Sequence, residues 1–173
     1  MMLDKAASES NANTIDRAEF RHALGSFVTG ITVVTCQKAD GDLYGMTVNS
    51  FNSVSLDPPL VLWSLDNSST HHTDFATGFV VNILSAEQKD LCNQFASSDE
   101  DARFKDVDYR IGASGHPVIE NALASFECKP WAVYEGGDHQ IYVGEVIGLH
   151  KASGPALTFF QGKIGQYPPA ETS

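Results

Sequence analysis

From Gly30 onward, short runs of β-branched and aromatic residues recur along the chain, each bounded by Gly, Pro, Asp or Asn. GITVVTC is followed by YGMTV, LVLWSL at 60–65 and FVVNIL at 79–84, and later by ASFECK, WAVY, HQIYVGEVIGL and ALTFF. Such residues suit a half-buried pleated surface. Eight runs at this close spacing leave no room for a helix after every strand, which argues against alternating βαβ units. The pattern predicts a mainly β fold, an antiparallel sandwich or barrel.

One short helix precedes the strands and two interrupt them. Asp16 and Glu19 have the spacing of a capping box, and Phe20, Leu24 and Phe27 follow at helical intervals, which predicts a helix to about Gly25 with one apolar face to bury. A second helix is predicted in STHHTDFAT. A third is predicted in SAEQKDLCNQFA, where Ser85 and Gln88 repeat the capping-box spacing and Leu91 shares a face with Phe95. Residues 1–13 are small, polar and aperiodic and read as a disordered lead-in, residues 14–165 as a single domain, and 166–173, with paired prolines, as a tail trailing over the surface. The segment DEDARFKDVD at 99–108 reads as a solvated loop.

Charge narrows the partners. A formal net charge of -11 with no basic run disfavours nucleic acid and anionic membrane surfaces. No apolar stretch approaches the ~20 residues that cross a bilayer. Cys36, Cys92 and Cys128 are odd in number and irregularly spaced, and the N-terminus lacks the layout of a secretory signal, so a reducing cytosol is expected, with each thiol acting as a small buried hydrophobe. Dinucleotide-binding glycine fingerprints, phosphate-binding P-loops and common zinc spacings are all missing. His71, His72 and Asp74 lie close together, but adjacent histidines on a helix point apart, so no metal site is expected.

GMTVNSFNSVSLDPP, at 45–59, carries many small neutral hydrogen-bonding groups and no charge before Asp57. Its apolar residues fall on even positions at Met46 and Val48, on an odd one at Phe51, and on even ones again at Val54 and Leu56. The pleat therefore breaks around residues 49–53 in a bend or bulge. Backbone groups left off the ladder need other partners, and with neutral side chains around them they suit the edge of a flat, uncharged heteroaromatic ring. Plain corner chemistry explains the same residues. DNSST at 66–70 follows a strand and opens a predicted helix, so it reads equally as a cap or as a phosphate cradle without basic residues. In EGGDH, at 135–139, the glycines mark a hairpin turn and His139 starts the next strand on an apolar face, as a satisfied core histidine or as a functional one.

The order and wording of GSFVTGITVVT, YGMTVNSFNSVSLDPPLVLWSL, FVVNILSAEQKDL and GGDHQIYVGEV resemble the flavin reductase family, the small reductase components of two-component flavin-dependent monooxygenases, from about Phe20 to Gly162. The resemblance implies a Greek-key split β-barrel of the FMN-binding type with a few short helices, assembled as a homodimer. It implies that Met46, Thr47, Val48, Asn49 and Ser50 meet the isoalloxazine ring, with Ser53, Val54 and Ser55 along the ring and ribityl chain. Ser64, Ser69 and Thr70 would lie towards the phosphate with Asn82 nearby, and His139 would position the nicotinamide. Lys163, Arg103 and Arg21 are the candidate cations for an anionic cofactor. One departure concerns the nicotinamide side: the family commonly carries Tyr or Phe shortly after a Gly-Lys or Gly-Arg, whereas Gly162 and Lys163 are followed by Ile164, leaving Tyr167 as the available aromatic.

The activity so implied is NAD(P)H:flavin oxidoreduction, with hydride passing from NADH or NADPH to FMN or FAD and reduced flavin diffusing to a partner monooxygenase. The cofactors supply that reactivity, which agrees with a sequence lacking a catalytic triad or carboxylate pair. Two rival readings are a split-barrel electron carrier without nicotinamide activity and a pyridoxamine-phosphate-oxidase-like enzyme. The latter would want a basic phosphate grip that the sequence does not offer.

Overall fold

The structure, a computed structural model, describes residues 15–168. The lead-in expected at 1–13 lies outside them. The first helix, α1 (Arg17–Leu24), starts at Asp16, whose carboxylate accepts from the amides of Ala18 and Glu19 at 3.0 and 2.9 Å, so one half of the anticipated box forms. Its apolar face is not buried within the chain, and Phe20 and Leu24 stay exposed.

Twelve strands are present among the described residues. They are β1 (Thr29–Gly30), β2 (Thr32–Gln37), β3 (Leu43–Val48), β4 (Asn52–Leu56), β5 (Pro59–Asp66) and β6 (Phe79–Ile83), then, after α2 (Lys89–Ala96), β7 (Tyr109–Ile111), β8 (Pro117–Ile119), β9 (Ala124–Gly136), β10 (His139–Lys151), β11 (Ala156–Phe160) and β12 (Lys163–Tyr167). ASFECK and WAVY are one strand, β9, continuous through Pro130, which sits beside a bulge where Trp131 is the unpaired residue between Ala132↔Val143 and Pro130↔Gly144. The helix predicted in STHHTDFAT is a single 3-10 turn at Asp74–Thr77. Gln166 and Tyr167, expected in the tail, belong to β12 and pair with Leu157 and Ala156, and residues 169–173 lie outside the described residues.

Seven strands form one sheet in the order β3-β2-β6-β9-β10-β5-β4. Its two edges are β3 and β4, which are consecutive in the chain and separated only by residues 49–51. A flat sheet of seven strands would hold its edges about 29 Å apart, whereas three linking residues span at most about 14 Å. The sheet therefore curls until its edges approach, leaving a barrel that is split where residues 49–51 cross. That is the Greek-key split barrel the resemblance implies.

The curled sheet separates two apolar clusters. Val34, Cys36, Val48, Trp63, Phe79, Val81 and Tyr142 fill the barrel interior. On the outer face Ile31, Val33, Leu84, Cys92, Phe95 and Leu157 join α2 and the smaller sheet β1-β11-β12 to it. Gly45 permits this docking, since a Cβ there would lie 2.7 Å from Phe95 Cε1. The 99–108 segment is no simple solvated loop, because Arg103 is buried, donating to the Gly45 carbonyl at 2.9 Å and to the Ser97 carbonyl at 2.7 and 3.1 Å.

Candidate functional site

The end of β3 follows the alternation of a strand. Met46 and Val48 turn their side chains to the barrel core, so toward a ligand only their backbone is available. Thr47 and Asn49 face the other way, onto a cavity of about 300 Å3 shared with Asn93, Ile31, Phe159 and Ile164. Thr47 Oγ1 donates to the Cys92 carbonyl at 2.7 Å and fixes α2 as the opposite wall. No charged side chain lines this cavity.

Residues 49–51 lie outside every strand. Among the described residues nothing accepts from the backbone N–H of Asn49, Ser50 or Phe51. Ser50 instead closes the split with its side chain: its Oγ accepts from Ser64 N at 2.9 Å and lies 3.4 Å from Ser64 O, serving the edge of β5 beyond the point where β4 begins to pair. The predicted break in the pleat is thus the crossover itself, followed by a bulge at Val54 between the pairs Ser53↔Val61 and Ser55↔Leu60. Ser53 and Val54 are exposed and Ser55 half-buried, so β4 offers polar groups along the rim.

The second and third motifs come together at the far end of β5. His139 is the cross-strand partner of Asp66, two residues from Ser64, and so stands about 7 Å along the strand from the Ser50 crossover. The β9–β10 hairpin turns through Gly137 and Asp138, with Gly137 at φ 80, a conformation that costs glycine little. Asn67 binds this turn twice, its N–H donating to the Asp138 carbonyl at 2.9 Å and its Nδ2 to the Gly137 carbonyl at 3.0 Å. Ser68 hydrogen bonds hold the Asp66 carboxyl below its usual range. His139 Nδ1 lies 2.7 Å from Asp138 Oδ1, and this contact holds the Asp138 carboxyl down likewise. Ser69 Oγ accepts from His71 N at 3.2 Å, and Thr70 is exposed beside it.

Three of the sequence assignments need correction. Asn82 is fully buried and cannot meet a ligand. Its Nδ2 donates to Val33 O at 3.1 Å and Thr35 Oγ1 at 3.2 Å, while its Oδ1 accepts from Ile119 N at 3.0 Å and Ser125 Oγ at 2.9 Å, tying β2, β8 and β9. Arg103 is committed to backbone carbonyls and is not a cofactor cation. Tyr167 lies not beside Ile164 but at a separate hollow with Thr29 and Thr158, so the aromatic missing at 164 is not replaced from there. His71 and His72 are also occupied. The His71 ring nitrogens face Asp74 at 2.8 Å and Glu100 at 3.0 Å, His72 Nε2 donates to Asp66 O at 3.1 Å, and no metal-binding group occurs among the described residues.

Sequence reasoning missed Asn93 and Phe159. The signal for Asn93 was present in α2, where Leu91, Cys92 and Phe95 mark the packed side and Asn93 sits beyond it. Phe159 had none, because a phenylalanine in a strand reads as core.

The structure is thus a split barrel whose crossover leaves neutral groups open beside an uncharged cavity. The model of the flavin reductase like domain matches residues 24–168, and the chain belongs to that family. It is 48% identical over 150 residues to an FMN reductase (NADH) of Agrobacterium fabrum, covering 86% of this chain and 84% of that one. To a flavin reductase of Pseudomonas putida it is 41% identical over 168 residues, covering 95% and 98%. Among solved structures, the Streptomyces globisporus NADH:FAD oxidoreductase in complex with NAD and FAD fragments superimposes with a TM-score of 0.83 at 36% identity, covering 94% and 99%. Other relatives are reductase components of monooxygenases, including the 4-nitrophenol 4-monooxygenase component of Rhodococcus opacus, at 34% identity over 97% of this chain and 90% of that one.

Proposed function

We propose that the chain is an NAD(P)H:flavin oxidoreductase that reduces FMN or FAD and supplies reduced flavin to a partner monooxygenase. The observation that carries this reading is the uncharged crossover: three backbone amides at 49–51 that have no acceptor among the described residues, beside Thr47 and Asn49 on a cavity lined by no charged side chain among them. A carboxylate or guanidinium there would be desolvated against the ring, whereas amides and hydroxyls match its alternating edge atoms at low cost.

Hydride transfer from nicotinamide C4 to flavin N5 is the chemistry the bound cofactors supply. The chain positions them. The backbone at 46–51 and the Asn49 amide would hold the ring, with Thr47 Oγ1, which already donates to Cys92 O, able only to accept, and Ser53, Val54 and Ser55 would follow along it. Ser64, Ser69 and Thr70 lead toward the phosphate. His139, braced by Asp138, orients the nicotinamide rather than acting as an obligate acid or base. Holding two rings at a near-attack distance of roughly 3–3.5 Å removes much of the entropic barrier.

The protein acts as a homodimer in this reading. Support comes from apolar groups the single chain leaves open, namely Phe20 and Leu24 on α1 and Trp131, Tyr134, Ile147 and Leu149 on the β9–β10 hairpin. A reducing cytosol is supported by three free, buried thiols. Among the described residues no helix is long and apolar enough to cross a membrane.

Following NADH absorbance with riboflavin, FMN or FAD, and again with NADPH, tests the activity. Turnover with at least one flavin is expected. A tightly yellow protein that consumes neither nucleotide would favour the electron-carrier reading instead.

A further inference from the structure

We infer that a cationic hollow between α1 and the β11–β12 turn holds the diphosphate of the nicotinamide dinucleotide. This rests on the oxidoreductase reading above. The hollow has a volume of about 610 Å3, and Arg17, Arg21, His22, Gln161 and Gly162 line it together with Phe159.

Charge is the first argument. The chain carries 11 Lys and Arg against 22 Asp and Glu, so two arginines and a histidine on one hollow with no carboxylate lining it among the described residues are a strong local departure. Spacing is the second. Arg17 and Arg21, with Gly25 at the cap, recur every fourth residue on the face of α1 that meets the hollow, while Phe20 and Leu24 fall on another. The basic face is held in place from outside the helix, since Gln161 N donates to Gly25 O at 3.0 Å.

The position of the hollow selects the ligand. Phe159 is a wall common to this hollow and to the neutral cavity of Thr47, Asn49 and Ile164, so the two compartments adjoin across one ring. On the other side an Arg17 Nη lies 4.0 Å from Asp138, which itself contacts His139. That ion pair is exposed on both sides and weak, so the guanidinium is free to turn to a phosphate. A dinucleotide whose nicotinamide is placed by His139 would leave its diphosphate within reach of these arginines. Paired guanidinium forks match phosphate oxygens in geometry and charge. The flavin phosphate has the same chemistry and is the alternative source, to be separated by experiment.

The test is the double variant Arg17→Gln/Arg21→Gln, with Lys38→Gln as a control for loss of surface charge. ADP-ribose, which is redox-inert and carries the diphosphate, is titrated calorimetrically into protein without flavin. Steady-state rates are measured with NADH against riboflavin and against FMN. The double variant should weaken ADP-ribose binding and raise the KM for NADH at least tenfold each, with kcat and both flavin KM values unchanged and the control like wild type. Lysine at both positions should restore only part of the loss, because it returns the charge without the guanidinium fork. Unchanged ADP-ribose binding and NADH KM in a variant with wild-type circular dichroism would overturn the proposal. So would a rise in KM for FMN but not for riboflavin, which would give the hollow to the flavin phosphate. Absence of NADH turnover by wild type with every flavin would sink the oxidoreductase reading, while the ADP-ribose titration would still report on the hollow itself.

Discussion

Replacing Asn82 by leucine tests whether this residue belongs to the fold or to the ligand. The substitution nearly conserves volume, so it isolates polar interactions from cavity formation. In the wild type the amide satisfies Val33 O, Thr35 Oγ1, Ile119 N and Ser125 Oγ in an interior with 0% exposure. Val33 O stays within the β2 ladder and Thr35 Oγ1 keeps its contact with Pro117 O, but Ile119 N and Ser125 Oγ lose their acceptor. Two stranded buried groups at about 1–3 kcal/mol each give a loss of about 2–6 kcal/mol. That is a large part of the ~5–15 kcal/mol typical of a domain. With an m value near ~2 kcal/mol/M, the urea midpoint should fall by about 1–3 M at fixed protein concentration. Flavin KM, measured below the transition, should stay at the wild-type value. An unchanged midpoint with a raised flavin KM would refute the structural role and return Asn82 to the phosphate site.

Further predictions concern other buried groups and His139. Burial pushes the Cys36 and Cys128 thiols up to about 12, so neither should react with an aromatic disulfide reagent at pH 8 until the protein unfolds. Because their folded values exceed those of unfolded thiols, the stability they contribute is complete below about pH 8.5 and is lost as pH rises toward 12, at about 1.4 kcal/mol per pH unit for each thiol, as alkaline urea titrations would read. Arg103→Met strands the Gly45 and Ser97 carbonyls and should cost about 2–4 kcal/mol in a denaturant melt, with no selective loss of FMN over riboflavin. His139→Ala should raise the KM for NADH by about tenfold, the worth of one hydrogen bond, and leave kcat near wild type; an unchanged KM with intact structure would remove His139 from the site.

The interior strands were legible in the sequence because TVVTC, LVLWSL and FVVNI bury one or both faces and so carry runs of β-branched and aromatic residues. β7, β8 and β12 were not. The first two have three residues each, and β12 reads KIGQY, with Ile164 as its only half-buried member. Pro130 hid the continuity of β9, since a proline inside a strand is tolerated only where the ladder is already irregular. At the site, the broken pleat and absence of charge at 45–59 pointed to the crossover. What the local sequence could not carry was which strands become the edges. The juxtaposition of β3 and β4 follows from the non-local strand order, and with it the neighbours of Thr47 and Asn49, among them Asn93, Phe159 and Ile164. Asn82 was misread for a related reason, because an asparagine in FVVNIL gives no sign of four partners drawn from β2, β8 and β9.

The uncharged crossover at 49–51 is the flavin-ring site we propose. Asn49→Asp tests it most directly, because it replaces an exposed amide by a carboxylate of the same size. Riboflavin is the substrate of choice, as it carries the ring without a phosphate. The variant should fold as wild type and show a riboflavin KM raised at least tenfold, with the KM for NADH little changed. An unaltered riboflavin KM would place the ring elsewhere and contradict the account.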